Sequence, residues 1–391
     1  MKILQVTPFF KPMWESGGVA RVAYDISRHL QQRGHEVTVY TTNMSTYRRG
    51  LPTNRPVDLE GMTVYYFENL RKFFPGRTVP VMPYYLPFVA RKEMREFDIV
   101  HIHEHRTLLA VWASRYARRY GVPYILQQHG SLPRDRIMGK VRIKEFFDRV
   151  WGNGILEGAS RVIAINAMEL EQNIGMGVER SRITVIPNGV DPDRCRTERQ
   201  KGEFRQEYGI PGDTRVVLYL GRIDQIKGID FLVDAYGLLA REVGDTVLAI
   251  VGPEWGYRQV LEKRVNSLGI GDRVIFISYI DDVAFAYQDA DVLVYPGKYE
   301  IFGLVAFEAI LCGTPVIVTE GSGSADFVRE SNCGYLVEYG NVHQLKECMK
   351  TCIEDPGEGR RMALRGQRYI RETLAWDRVI ERLLKEYQRC L

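Results

Sequence analysis

Two basic side chains in one short segment have the types and spacing to bind a diphosphate. Arg222 and Lys227 stand in the segment 221–228, GRIDQIKG, which follows the apolar run 216–220 and precedes a helical pattern. Arginine offers phosphate a planar fork of donors, and lysine offers a compact positive charge. Such a pair could hold a diphosphate and neutralise the charge that develops on it as it leaves. A solvated basic turn is the alternative.

Two carboxylates eight residues apart could bind the hydroxyl groups of a sugar nucleotide. Glu300 lies in a loop after the apolar run 292–295, and Glu308 lies in the early turns of the helix that follows. Glu308 could accept hydrogen bonds from vicinal ribose hydroxyls, and Glu300 could do the same for a sugar. The backbone N–H groups of Gly303 and Leu304 begin that helix, where donors lack internal partners and can bind phosphate.

Paired glycines are a second candidate for anion binding. Gly17 and Gly18 follow the first apolar run and open an amphipathic helix over 19–30. The pair could let backbone N–H groups bind an oxyanion, or it could form a tight turn that binds no ligand. The first βα turns lack G-x-G-x-x-G, and no phosphate loop of the G-x-x-x-x-G-K-[ST] type is present. This argues against nicotinamide dehydrogenases and P-loop ATPases.

Short apolar strands alternating with amphipathic helices, twice along the chain, must position these residues. This alternation predicts right-handed crossovers and an α/β fold with two doubly wound, parallel-sheet, Rossmann-like domains. We expect domains at 1–190 and 191–373, and a helix in 374–391 that packs back on the first domain. The predicted strands are 2–7, 36–41, 62–67, 98–103, 124–128, 161–165, 183–186, 216–220, 247–251, 274–277, 292–295, 316–319 and 335–337.

Composition and length agree with a folded two-domain protein. The chain has 391 residues, of which 45% are hydrophobic and 26% charged, so disordered and collagen-like classes are excluded. No apolar run approaches the roughly 20 residues of a membrane span. The N-terminus lacks a signal-peptide pattern, and the six cysteines lack the spacing of a disulfide framework. These features predict a cytoplasmic protein with reduced thiols.

The charge is divided unevenly. Residues 1–190 carry 27 Lys and Arg against 17 Asp and Glu, whereas the remainder carries 26 against 32. A basic first half predicts an anionic partner, and two differently charged surfaces without a partner are the alternative. No nucleic-acid-binding module is recognisable, so nucleic acid is not expected.

The motifs resemble, in order and over essentially the whole chain, those of the retaining nucleotide-sugar glycosyltransferases of family 4, also called group 1. The segment 221–228 resembles their G-R-x-x-x-x-K-G motif, 300–308 their E-x7-E motif, and 186–191 (IPNGVD) their interdomain segment. Gly17-Gly18, His129-Gly130 and Trp376-Asp377 also match. Ile301 stands where a small residue, usually Gly, is common, and Asn166 replaces a frequent Ser.

The resemblance implies the GT-B architecture, in which two Rossmann-like domains face a central cleft. The second domain would hold the donor and the first the acceptor. Arg222 and Lys227 would grip the donor diphosphate, and Glu308 would bind the ribose. Glu300 would meet the donor sugar and phosphate, together with Phe302, Gly303 and Leu304. His129 would touch the donor sugar near the reacting carbon, and Gly17 and Gly18 would close over the phosphate.

The resemblance also implies the reaction. A hexosyl unit would pass from a UDP- or GDP-sugar to an acceptor hydroxyl with retention of configuration, by front-face attack and without a metal or other cofactor. Asp191 and Asp193 form a D-x-D pattern, but it lies inside the interdomain turn. His101, His103 and His105 alternate on one predicted strand face, where metal binding and cleft lining are both open. A nucleotide-sugar epimerase and a non-catalytic nucleotide-sugar binder are the alternative functions.

Residues 106–149 hold a basic amphipathic segment, which predicts contact with an anionic membrane surface. Its apolar residues interleave with the basic ones, as in helices that lie on membranes. A helix that packs on the core and keeps a solvated basic side is the alternative. On the membrane interpretation the protein lies at the inner face of the membrane, and the acceptor is a lipid-linked or cell-envelope glycan precursor or a phospholipid headgroup. The basic residues are Arg115, Arg118, Arg119, Arg134, Arg136, Lys140, Arg142, Lys144 and Arg149.

Overall fold

The structure, a computed structural model, describes residues 1–14, 18–43, 51–69, 81–133, 141–298 and 300–391. It divides into two compact units, Met1–Gly189 together with Trp376–Leu391, and Val190–Ala375. The boundaries between the units therefore lie after residues 189 and 375, whereas the sequence predicted them after residues 190 and 373. All thirteen predicted strands are present, each within one residue of its predicted ends.

The first unit is built on an eight-stranded sheet in its described part. The strand order is β3-β4-β2-β1-β5-β6-β7-β8, and all neighbours are parallel except β3 and β4. Strand β3 was not predicted, because it is short, lies at the sheet edge and begins with proline. The strands are β1 (Lys2–Val6), β2 (Glu36–Thr42), β3 (Pro56–Leu59), β4 (Met62–Phe67), β5 (Ile99–His103), β6 (Tyr124–Gln127), β7 (Arg161–Ala164) and β8 (Ile183–Val185).

Helices cover both faces of this sheet. Successive strand residues alternate between two cores: Leu4 and Val100 belong to one, and Ile3 and Ile99 to the other. The helices are α1 (Gly18–Gln32), α2 (Leu86–Glu93), α3 (Leu108–Tyr120), α4 (Val141–Phe147), α5 (Asn153–Gly158) and α6 (Ala167–Gly175). A π-helix, Asp148–Gly152, joins α4 to α5, and 3-10 helices span Met94–Glu96 and Arg180–Arg182.

Within its described residues, the second unit has a six-stranded, fully parallel sheet in the order β11-β10-β9-β12-β13-β14. The strand order reverses between β9 and β12, which is where open α/β sheets bind ligands. The strands are β9 (Arg215–Leu220), β10 (Thr246–Val251), β11 (Val274–Ile277), β12 (Val292–Tyr295), β13 (Val316–Thr319) and β14 (Gly334–Val337).

The helices of the second unit alternate with these strands. They are α7 (Glu203–Glu207), α8 (Ile229–Glu242), α9 (Arg258–Leu268), α10 (Ala284–Asp289), α11 (Leu304–Leu311), α12 (Ala325–Ser331), α13 (Val342–Glu354) and α14 (Pro356–Tyr369). Short 3-10 helices span Pro192–Cys195, Gln225–Lys227 and Gly271–Arg273, and a π-helix spans Ile370–Leu374.

The last helix, α15 (Trp376–Gln388), belongs to the first unit. Its residues Val379, Ile380, Leu383 and Tyr387 are buried in the same core as helix α1. Trp376 stacks on His29 of α1 with ring centroids 5.4 Å apart. Burying this apolar stripe stabilises the return of the chain to its first sheet.

Candidate active site

The loop after β9 is held by hydrogen bonds from its own strand and from the neighbouring loop. Tyr219 Oη donates to the carbonyl of Arg222 at 2.9 Å, and Ile223 N donates to the carbonyl of Pro253. The Arg222 guanidinium lies 4.6 Å from the centroid of the Trp255 ring, a cation–π contact that orients the fork. Arg222 thus lies at the carboxyl end of a central strand.

Lys227 and Glu300 come together from the loops after β9 and β12. Lys227 Nζ lies 2.6 Å from Glu300 Oε2, and both side chains are less than one-fifth exposed. Tyr295 Oη also donates to Glu300 Oε2, at 2.7 Å. Burial, reinforced by the Glu300 charge, holds the pKa of Tyr295 well above its usual range, so the phenol stays a donor. The sequence did not identify this tyrosine, although it ends a predicted strand at the binding edge.

Two glycines permit the close approach of these loops. Gly228, at the start of α8, has φ +66°, and a Cβ there would lie 2.6 Å from the carbonyl oxygen of Pro296. A Cβ on Gly323 would lie 1.5 Å from the carbonyl oxygen of Ile301. A side chain at either position would push the Lys227 loop or the Glu300 loop away from its neighbour.

The start of α11 has the backbone placement expected of a phosphate site. Gly303 has φ +71° and no side chain with which to cap the helix that begins at Leu304. Phe302 is 8% exposed and stacks on Phe307, with ring centroids 4.6 Å apart. Its side chain is therefore core, which leaves only its backbone to meet a donor. Ile301 is 9% exposed, so it too points mainly inward.

Glu308 lies in the second turn of α11 and is half-buried. Tyr287 Oη donates to Glu308 Oε2 at 3.3 Å, which orients the carboxylate. The structure thus places the predicted donor-binding residues of the second unit on the loops and helix that follow β9 and β12.

In the first unit, His129 follows β6 in a left-handed conformation, with φ +52°. Its Nε2 lies 2.8 Å from Nδ1 of His103, and the two rings stack with centroids 5.1 Å apart. Burial lowers the pKa of His129 to about 3, so the ring is neutral at physiological pH. Gly18 is the first residue of α1, and Gly17 lies outside the described residues.

Glu169 supports the loop that carries His129, and the sequence did not single it out. The carboxylate is 1% exposed and accepts from Gly130 N at 2.6 Å and from Ile165 N at 2.8 Å. Asn166 Oδ1 accepts from Glu169 N at 2.8 Å and so caps α6. The N-x-x-E spacing at 166–169, which is that of a helix capping box, could have identified Glu169 from the sequence.

The histidines near the end of β5 do not all share one environment. His101 and His103 stack with ring centroids 4.3 Å apart. Glu104 follows with φ +64°, which breaks the strand alternation, and desolvation raises the pKa of its carboxyl to about 7. His105 instead lies beside Asp148, with Nε2 3.7 Å from Oδ1. The expectation of three rings on one face is therefore wrong for His105.

The candidate metal ligands have other partners. Asp191 Oδ1 accepts from Asp193 N at 3.0 Å and caps the following 3-10 helix, while Asp193 pairs with Arg196. Among the described residues, no three or more His, Cys, Asp and Glu side chains cluster as metal ligands.

The six cysteines are free thiols. No helix in the described ranges is long and apolar enough to cross a membrane.

Comparisons with known proteins identify the class. The family model "Glycosyl transferases group 1" matches residues 200–369, and "Glycosyltransferase Family 4" matches residues 16–194. A relative from Catenulispora acidiphila, named D-inositol 3-phosphate glycosyltransferase 2, is 30% identical over 85% of this chain and 81% of its own length. The chain therefore belongs to the group 1, family 4 glycosyltransferases. The predicted family is confirmed, and the protein is a glycosyltransferase.

Solved structures share the fold. Sucrose-phosphate synthase from Thermosynechococcus elongatus superposes with a TM-score of 0.79 at 22% identity, covering 99% of this chain and 98% of that one. Anabaena HepE in complex with UDP-glucose superposes with a TM-score of 0.76 at 21% identity over the full length of both chains. The predicted GT-B architecture with two parallel-sheet α/β domains is confirmed.

Proposed function

We propose that the protein transfers a hexosyl unit from a nucleoside-diphosphate sugar to an acceptor hydroxyl, with retention of configuration and without a metal. The observation that carries this proposal is the ion pair between Lys227 and Glu300 at the point where the strand order of the second sheet reverses. Charged donors and acceptors at that edge suit a diphosphate and a sugar. The HepE neighbour holds UDP-glucose, which makes UDP-glucose the first donor to test.

Arg222 and Lys227 would stabilise the leaving group. Lys227 has three N–H donors, of which Glu300 and Tyr295 engage two. The third would serve the diphosphate, and Arg222 would supply a planar fork from the same loop. Fixed cations interact more strongly with a departing phosphate in the transition state than in the ground state, because negative charge grows on the phosphate as the bond breaks. The backbone at Gly303 and Leu304 would add helix N-terminal donors.

The remaining assignments follow the family pattern. Glu308 would accept from the ribose hydroxyls, Glu300 would bind the sugar, and His129 and Gly18 would contribute from the first unit. With no side chain assigned as a nucleophile, the acceptor hydroxyl would give its proton to the departing phosphate while it attacks from the same face. That step forms the new glycosidic bond, breaks the sugar–phosphate bond and leaves a nucleoside diphosphate.

Replacing Lys227 tests the proposal directly. We expect Lys227→Ala to lower kcat/KM by at least about 100-fold, the typical effect of removing one donor from developing charge. Lys263→Ala removes an exposed lysine of α9 in the same unit and is the matched control. Transfer from UDP-glucose and GDP-mannose would be followed with and without EDTA, and NMR would give the anomeric configuration of the product. Near-normal turnover of Lys227→Ala, inversion, or loss with EDTA would each refute part of the proposal.

The acceptor is proposed to be a lipid-linked or cell-envelope glycan precursor. The basic excess of the first unit suits an anionic acceptor, and this chemistry is shared by phospholipid-linked and soluble phosphorylated acceptors. The name of the Catenulispora relative indicates D-inositol 3-phosphate as a second candidate. Competition between a polyprenyl-phosphate-linked sugar and D-inositol 3-phosphate as acceptors would separate the two.

We propose that α4 and the following π-helix lie on an anionic membrane surface. No residue of α4 is buried, and four large apolar side chains there are 39–67% exposed: Ile143, Phe146, Val150 and Trp151. Arg142 and Arg149 are exposed in the same stretch. Arg106 holds Asp148 with two hydrogen bonds of 2.8 Å, which fixes this stretch to the segment after β5. Arg134, Arg136 and Lys140 lie outside the described residues.

Vesicle flotation tests the membrane surface. We expect binding to phosphatidylcholine vesicles that contain phosphatidylglycerol, and its loss after Arg142→Glu with Arg149→Glu, because each basic residue contributes about 1 kcal/mol near such a surface. Arg360→Glu with Arg368→Glu makes the same charge change on α14 and is expected to float normally. Equal flotation of both variants would remove the proposal.

A further inference from the structure

Five side chains of the first unit form one continuous chain of hydrogen bonds. His101 Nδ1 lies 2.8 Å from Tyr387 Oη, and Gln5 Nε2 donates to that hydroxyl at 3.2 Å. Gln5 Oε1 lies 2.8 Å from His103 Nε2, and His103 Nδ1 lies 2.8 Å from His129 Nε2. The four members before His129 are at most 1% exposed. The chain thus joins helix α15 and strand β1 to the loop after β6.

The donors and acceptors along this chain are linked. Gln5 Oε1 can only accept, so His103 carries its proton on Nε2. The Nδ1 of His103 must then accept from Nε2–H of His129. In the other direction, Gln5 Nε2 donates to Tyr387, whose hydroxyl proton is free to go to His101 Nδ1. One orientation of the Gln5 amide therefore sets the position of the proton on all three rings.

His101 is the far end of the chain. Its Nε2 is buried without a hydrogen-bond partner among the described residues, whereas its Nδ1 lies 2.8 Å from Tyr387 Oη. Because Gln5 Nε2 donates to Tyr387, the Tyr387 hydroxyl proton goes to His101 Nδ1, and His101 carries its own proton on Nε2. Burial lowers the pKa of His101 to about 3 and that of His103 well below its usual range, so these rings are neutral and carry one proton each.

We propose that Tyr387 and Gln5 are positioning residues that hold His129 with its proton on Nε2 and its lone pair on Nδ1. The inference rests on the proposed function in one respect: it gives the free Nδ1 a hydroxyl of the donor sugar to accept from. A ring held in one tautomer needs no reorganisation when the sugar arrives, whereas a mixed ring would bind it productively only part of the time. The last helix of the chain thereby determines a proton position in the loop after β6.

The variant Tyr387→Phe removes one hydroxyl and keeps the ring. Without it, nothing distinguishes the two orientations of the Gln5 amide, so we expect nitrogen-15 NMR of histidine-labelled, ligand-free protein to show His129 as a mixture of tautomers. The wild type should show only the Nε2–H form. We expect kcat to fall about fivefold to tenfold, the value of one hydrogen bond, with the donor KM within about twofold.

Tyr124→Phe is the control, since it also removes a buried tyrosine hydroxyl; this hydroxyl donates to the carbonyl of Ile155 and lies outside the chain of hydrogen bonds. It should leave the His129 tautomer and kcat unchanged. If Tyr387→Phe fails to fold, Gln5→Leu replaces it; it removes the acceptor from His103 Nε2 and should likewise give a mixture of His129 tautomers. A wild-type His129 protonated on Nδ1, or an unchanged tautomer in the variants, would overturn the proposal. Absence of transfer from every donor would refute the proposed function instead, because the NMR result needs no substrate.

Discussion

The two units place polar groups at equivalent edges of their sheets but stabilise them in opposite ways. In the second unit the central pair is charged and partly exposed, with Lys227 against Glu300. In the first unit the central group is neutral and buried, with His101, His103 and His129 stacked in a row. Charge suits binding of an ionic diphosphate, whereas a buried neutral network suits orientation of a group in one state. The two sites therefore call for different experiments.

The largest expected effect is a pH dependence of stability between pH 6.5 and pH 5 that is much larger in the first unit than in the second. Burial lowers the pKa of His101 and His129 to about 3, while the unfolded histidines titrate near pH 6.5. These histidines therefore bind more protons in the unfolded state below pH 6.5, whereas Glu104, whose pKa burial raises to about 7, binds more in the folded state and offsets one histidine. The stability from the histidines is complete above pH 6.5 and is lost as the pH falls towards 3, by roughly 1 kcal/mol per histidine per pH unit. The described part of the second unit holds one histidine, His343, and it is exposed.

Fluorine NMR of protein labelled with 5-fluorotryptophan can follow the two units separately. Trp376 reports the first unit and Trp255 the second, because each belongs to only one of them. Urea titrations at pH 7 and pH 5 should show a midpoint that falls much more for Trp376 than for Trp255. An equal fall for both signals would mean that carboxylates common to the two units, rather than the buried histidines, control acid stability.

The next effect concerns the charged site of the second unit. Removing the Glu308 carboxylate would cost two charge-assisted hydrogen bonds to the ribose, about 3 kcal/mol, which is roughly 100-fold in affinity. We expect calorimetry to show this loss for UDP in Glu308→Ala. Glu320→Ala removes an exposed carboxylate of the same unit and should bind UDP normally. Equal affinities in the two variants would exclude Glu308 as the ribose ligand.

Sequence patterns predicted the charged site better than the buried network, for a physical reason. A strand, a loop and a helix are local, so Arg222, Lys227, Glu300 and Glu308 could be placed at a sheet edge from periodicity alone. The hydrogen bond between Gln5 and Tyr387 joins residues 382 positions apart, and no local pattern records it. Phe302 shows the same limit, since its motif position suggested the donor site while packing against Phe307 buries its ring.

The smallest effect concerns Asn166, the departure from the family pattern that the structure explains. Its side chain caps α6 by accepting from Glu169 N at 2.8 Å. Serine can make the same bond and has a similar preference at this position. We therefore expect Asn166→Ser to change the free energy of unfolding by only a few tenths of a kcal/mol, and Asn166→Ala to lower it by about 1 kcal/mol.

Because Glu169 also holds the backbone of Gly130, the alanine variant should lower kcat slightly as well, whereas the serine variant should not. Urea unfolding and initial rates on the two variants would decide this, and equal destabilisation by serine and alanine would show that Asn166 acts by something other than the cap.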